Sequence, residues 1–187
     1  VIAREFNRHD SSQKVMSIEV EIVLANLELT AHREALIRLM EIYTLDPMGG
    51  GQQLSEFARA NLADELAKRK SAHVIIAFVD AVPVGLAICF EGFSTFACKP
   101  LLNIHDIVVD PIYRCKGISK KLLRKAEQIA TELGCCKLTL EVLEGNNAAL
   151  SAYRSFGFKN YELDPKMGRA LFLEKKLEKV YENKESL

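Results

Sequence analysis

A chain of 187 residues with 25 basic and 25 acidic side chains has no net charge, so it carries no field that would gather nucleic acid or an anionic membrane surface. Its apolar share of 49% is ample for one hydrophobic core, and at this length a single domain is the default. No apolar run approaches the roughly 20 residues that span a bilayer.

Residues 1–15 are polar and lack a hydrophobic segment of signal-peptide length. They are expected to form a disordered upstream extension or a remnant of cloning, with the folded domain over 16–187. Ile18, Val20, Ile22 and Leu24 alternate with Ser17, Glu19, Glu21 and Val23, which predicts a half-buried strand. Thr30 is placed to cap a helix over 30–43 that turns Leu36, Leu39, Met40 and Tyr43 inward. Asp46-Pro47-Met48-Gly49-Gly50-Gly51 breaks it. A second helix is expected over 55–68, with Phe57, Leu62 and Leu66 inward. Strands over 74–79 and 84–90 are joined through Asp80-Ala81-Val82-Pro83 as a hairpin. A helix over 118–133 repeats Leu122, Ala126, Ile129 and Leu133 at helical spacing. A strand over 138–142, a short helix carrying Tyr153 and strands over 158–163 and 170–177 complete the order.

The five cysteines, Cys89, Cys98, Cys115, Cys135 and Cys136, show neither a CxxC pair nor a Cys/His metal spacing. They read as reduced thiols of a cytoplasmic protein, and no metal is called for.

The segment 103–158 carries most of the chemistry. The apolar run Ile104-His105-Asp106-Ile107-Val108-Val109 is stopped by Asp110-Pro111. A basic loop with one glycine, Arg114-Cys115-Lys116-Gly117-Ile118-Ser119, then leads directly into the amphipathic helix. The first N–H groups of a helix lack intrahelical partners and carry the positive end of its dipole, so a strand, turn and helix in this order make an anion site. A ligand with a pyrophosphate is implied. The alternative is an ordinary strand-to-helix turn.

At these residues the chain resembles the GNAT superfamily of acetyl-CoA-dependent N-acetyltransferases. The family loop reads Gln/Arg-x-x-Gly-x-Gly/Ala; Arg114 and Gly117 fit it, and Ser119 departs from it by one small residue. The second family block, Asn-x-x-Ala-x-x-x-Tyr followed by Gly-Phe, stands as Asn146, Ala149, Tyr153, Gly157 and Phe158. The resemblance implies an α/β (α+β) fold, with a central, mixed, mostly antiparallel twisted sheet and helices on both faces. It implies acetyl-CoA as acetyl donor, its pyrophosphate on Arg114, Cys115, Lys116, Gly117, Ile118 and Ser119. The pantetheine arm would lie along Ile107, Val108 and Val109, with Asn146 also binding the cofactor arm. Tyr153 matches the family's general acid, which protonates the leaving thiolate; a packing tyrosine is the plain alternative.

The amine must also lose a proton. Strict alternation sets His105 on the face of Ile107 and Val109 and Asp106 on the other, unless a bulge breaks the parity. His105 is therefore the candidate base, with Asp106 orienting it or pairing elsewhere. Asp46, Glu91 and Phe93 are candidates for the acceptor pocket. No extended acidic patch marks a protein tail as acceptor, so a small-molecule amine is preferred. The rival reading is a non-catalytic acyl-CoA-binding or sensing module. A homodimer fits the resemblance but has no signature of its own in the sequence.

Overall fold

Five strands lie side by side in chain order, and the elements are β1 (Glu21–Leu24), α1 (Thr30–Leu45), α2 (Glu56–Ala67), β2 (Ala72–Val79), β3 (Val82–Ser94), β4 (Lys99–Val109), α3 (Ile118–Glu132), β5 (Leu138–Leu140) and α4 (Asn147–Phe156). This computed structural model describes residues 18–176 apart from Leu163 and Arg169, so the expectations for residues 1–15 lie outside the described residues. The first four strands pair antiparallel and β5 joins β4 in parallel, which gives the mixed, mostly antiparallel sheet expected. The β2–β3 hairpin turns on Asp80 and Ala81, whose φ values of 48° and 63° are the paired left-handed conformations of a two-residue turn. No helix of the described residues is long and apolar enough to cross a membrane.

Alternation along the strands splits the apolar residues between two cores. On one face Ile75, Ala77, Ala87 and Cys89 pack under Ile118, Leu122, Leu123, Ala126 and Ile129 of α3, with Tyr153 of α4 beside them. On the other, Val74, Ile76, Leu86 and Ile88 pack under Leu36, Leu39 and Met40 of α1 and Ala63 and Leu66 of α2. Gly85 lets α3 approach closely: a Cβ there would meet Ile118 Cγ2 at 3.0 Å and Leu122 Cδ1 at 3.2 Å. Full burial of a side chain such as Ile118 or Leu122 stabilises by about 1.5–3 kcal/mol. The first turn of α3 is thereby fixed on β3, and with it the loop that precedes the helix.

Several expectations need correction. Phe57 is 77% exposed; it lies nine residues from buried Leu66, two and a half turns at 3.6 residues per turn, and so on the opposite face of α2. Thr30 is the first residue of α1 rather than its cap, and the cap position, Leu29, makes no side-chain bond. β1 and β5 are shorter than expected, and α1 and β4 are longer. Residues 158–162 and 170–176 run without strand pairing, and Leu171, Phe172 and Leu173 are exposed. Three consecutive apolar residues do not alternate, and the edge strand β5 offers only three residues to pair with. Leu163 and Leu177, at the ends of those expected strands, lie outside the described residues.

Candidate active site

β4 bonds to β5 only through Leu102, Asn103 and Ile104. Beyond Ile104 the two strands part, and among the described residues the outer edge of β4 has no strand neighbour over residues 105–109. Backbone groups on such an edge are free to pair with an amide-bearing ligand. A cavity of about 360 Å³ opens there, floored by Ile107, Val108 and Val109. Arg114, Cys115, Gly117, Ile118 and Ser119 close one end, Asn146, Ala149 and Tyr153 one wall, and Tyr43, Asp46 and Met48 the opposite wall. The structure thus gathers most of the sequence-derived cofactor residues, Tyr153 and Asp46 around one space.

The loop at its end is shaped for an anion. Cys115 and Gly117 both take positive φ, 61° and 77°, separated by one residue, a backbone pattern that turns successive N–H groups inward. Gly117 is the cap position of α3 and contributes no side chain, while Lys121 N–H donates to its carbonyl at 3.2 Å. The N–H groups at the start of α3 are left without intrahelical acceptors. A Cβ at Gly117 would point into space empty for 4 Å, so the requirement for glycine is the backbone conformation itself. Lys116 is not among the lining residues; its Nζ lies 4.9 Å from the centre of the Tyr113 ring. Arg114 donates from Nε to the Val109 carbonyl at 3.2 Å and from Nη2 to Asp46 Oδ2 at 2.6 Å. The Arg114 hydrogen bond, with a further one from Met48 N–H, holds the Asp46 carboxyl below its ordinary range.

On the opposite wall, α4 is capped by Asn146, whose Oδ1 accepts from Ala149 N–H at 3.1 Å. Its side-chain NH₂ remains for a ligand. Seven residues on, Tyr153 is 9% exposed, its ring edge-on to Phe158 with centroids 6.0 Å apart. Burial, with a smaller contribution from Tyr43, pushes its phenol up to about 12. The hydroxyl is therefore protonated throughout the neutral range.

His105 sits in a β-bulge. Ile88 pairs with Asp106 and Cys89 with Ile104, so His105 is skipped. The extra residue resets the alternation: Leu102, Ile104, Ile107 and Val109 all serve the α3 face, whereas Val108 serves the α1 face. Asp106 has the parity of Val108, and His105 turns to the same side, edge-on to Phe90 at 5.5 Å. The expectation that His105 shares a face with Ile107 is corrected by this bulge. Asp106 is half-buried, and burial raises its carboxyl above the usual range, partly offset by His105. Its charge in turn raises the Tyr43 phenol, after burial. Asp106 and Tyr43 were thus undervalued from sequence, since the register that sets Asp106 against α1 depends on β3.

His105, Glu91 and Phe93 do not line the cavity, and neither does Asp106. Glu91 bonds to His73 at 2.8 Å and, after burial, raises the half-buried Cys135 thiol, which puts it on the α3 side of the sheet. Phe93 is 60% exposed, opposite Pro100 in the outer reach of the β3–β4 hairpin.

A family model described as Acetyltransferase (GNAT) family matches residues 36–158. The thialysine N-epsilon-acetyltransferase of Caenorhabditis elegans is 28% identical over 134 residues, covering 64% of this chain and 83% of the relative. The glucosamine 6-phosphate N-acetyltransferase of Trypanosoma brucei brucei is 27% identical over 151 residues, covering 78% and 92%. Among solved structures, aminoglycoside N-acetyltransferase AAC(6')-Iy in complex with CoA superposes with a TM-score of 0.65 at 20% identity, over 85% of this chain and 96% of that one. At that identity the likeness is one of fold.

Proposed function

The chain belongs to the GNAT acetyltransferase family, and from that premise we propose that it moves the acetyl group of acetyl-CoA onto a primary amine of a small molecule, by direct attack in a ternary complex. The observation that carries this reading is the parting of β4 from β5 over a cavity that runs from the anion-shaped loop to the buried side chain of Tyr153. The relatives named above acetylate amines on small molecules, thialysine and glucosamine 6-phosphate, which supports the same acceptor class here.

Each end of the cavity has a role. The N–H groups of residues 115–119 and the Arg114 guanidinium take the pyrophosphate. The open β4 edge at Ile107, Val108 and Val109 takes the pantetheine amides, and Asn146 offers its NH₂ to the same arm. A backbone N–H near Ile107 facing the acetyl oxygen would stabilise the charge that develops there, a contribution often worth ~3 kcal/mol. As the amine nitrogen bonds to the acetyl carbon, the bond from that carbon to sulfur breaks and its electron pair goes to sulfur. Tyr153 directs its hydroxyl proton at the departing thiolate.

The amine loses its proton on the α1 side. His105 and Asp106 are both turned there by the bulge, and we assign the acceptor of that proton to Asp106. Neither side chain lines the cavity itself, but the charge of half-buried Asp106 is felt by Tyr43, which does, whereas His105 is exposed and set against Phe90. A carboxyl raised above its usual range is the stronger base when ionised. Free thiols and a continuous sheet support the reading of a cytoplasmic protein with one catalytic domain over 16–187. Its balanced charge argues against a nucleic-acid partner.

The test is acetyl-CoA-dependent thiol release against thialysine, glucosamine 6-phosphate, polyamines, aminoglycosides and basic peptides, beside calorimetric titration with CoA. Turnover of a small amine is expected. CoA binding without turnover on any amine would move the reading to a sensing module, and no CoA binding would end it.

A further inference from the structure

Asp46 was chosen from the sequence as an acceptor ligand, yet its polar atoms are already engaged. Oδ1 accepts from Met48 N–H at 2.8 Å and Oδ2 from Arg114 Nη2 at 2.6 Å. Its carbonyl accepts from Gly49 N–H at 2.8 Å and Gly51 N–H at 3.1 Å, and its own N–H donates to Tyr43 carbonyl at 3.0 Å. One residue therefore organises the whole turn between α1 and α2, and a single ion pair ties that turn to the loop before α3, 68 positions along the chain. The turn carries Met48 and follows Tyr43, both on the cavity wall.

Arg114 is the shared member. A guanidinium has five N–H donors. One is given to Val109 carbonyl, at the end of the strand edge assigned to pantetheine, and one to Asp46. The remaining three can bind a phosphate while the first two bonds persist. An anion on the loop would fix the guanidinium, and the fixed guanidinium would hold the turn.

We infer that Asp46 is a positioning residue: through Arg114 it couples occupancy of the phosphate loop to the order of the 46–51 turn, and so to the shape of the acceptor wall. The inference rests on the donor reading above. By thermodynamic linkage, an acceptor that needs the ordered turn binds more tightly once the donor is in place, and the donor gains by the same factor.

The test uses CoA alone and reads hydrogen–deuterium exchange at the Met48, Gly49 and Gly51 amides, each variant at CoA concentrations that saturate it by calorimetry. In the unaltered protein CoA is expected to slow exchange at these amides roughly fivefold or more, the lower range of such couplings. Asp46→Asn keeps an oxygen for the Met48 bond but removes the charge facing Arg114, and the slowing should vanish. Arg114→Gln should remove it independently, and Asp46→Asn in that background should add nothing. Slowing of equal size in either single variant, or none in the unaltered protein while CoA binds, would overturn the inference and leave the donor reading intact. Failure of the unaltered protein to bind CoA would remove both.

Discussion

Replacing Tyr153 by Phe deletes one oxygen and keeps the ring against Phe158. The phenol stands at about 12, against about 8.5 for an ordinary thiol. Against an ordinary thiol the buried phenol is the weaker acid, so complete proton transfer to the thiolate runs uphill. Under the proposed function, Tyr153 acts as a hydrogen-bond donor to a sulfur that becomes charged late in the reaction, with transfer completed as the product leaves. Loss of one such donor in a water-poor site costs about 2.7–4 kcal/mol, or 10²–10³ in kcat. Among the described residues the hydroxyl makes no protein hydrogen bond, so its removal orphans no partner, and the fold should keep its stability. Steady-state thiol release with saturating amine should show the fall in kcat, with CoA affinity by calorimetry within about threefold and an unchanged melting temperature. A kcat within threefold of the parent would refute the donor role. An equal loss of CoA affinity and melting temperature would make Tyr153 a packing residue.

Asp106→Asn should lower kcat by about 10²-fold or more if the carboxylate takes the amine proton, while His105→Gln should cost under tenfold; the reverse order would return the role to His105. Because burial raises the Asp106 carboxyl above 3.8, the folded chain holds that proton to higher pH than the unfolded chain does. The associated stability is present below that value and is lost as pH rises through the folded pKa. Asp106→Asn should accordingly melt higher than the parent at neutral pH and no higher near pH 3, and a lower melting temperature at neutral pH would contradict the desolvation argument. Cys115 and Cys98 are both exposed, but only Cys115 lies on the phosphate loop; CoA at ten times its Kd should slow alkylation of Cys115 about tenfold and leave Cys98 unchanged, as read by mass spectrometry. Leu122→Ala empties a fully buried position beneath α3 and should lower unfolding stability by about 2–5 kcal/mol in urea titrations; a loss under 1 kcal/mol would mean that α3 is not held as described.

What could be read from the chain was local. Leu122, Ala126 and Ile129 specify the inward face of α3 by spacing alone. The position of Gly117 before Ile118 marks the turn because few other residues accept a positive φ there. What could not be read was fixed by residues far away in sequence. The Arg114–Asp46 pair spans 68 positions, and Glu91 is taken up by His73 on the neighbouring strand. The bulge at His105 belongs to this second kind. Two-residue alternation is a property of one strand, but the place where it fails depends on how β3 pairs with it. Ile88 and Cys89 take Asp106 and Ile104, and one residue of β4 is left over. That extra residue does two things together. It turns His105 and Asp106 toward α1, the side of the proposed acceptor wall, while Ile107 and Val109 stay on the α3 face. It also falls just beyond Ile104, the last residue paired with β5, so the change of parity and the opening of the donor edge occur at the same point. A strand without the bulge would keep Asp106 on the face of Ile104 if Ile107 and Val109 were to change sides, or lose one of the two functions. The proposed donor edge and the Asp106 carboxylate can be adjacent in sequence because the bulge separates them in space.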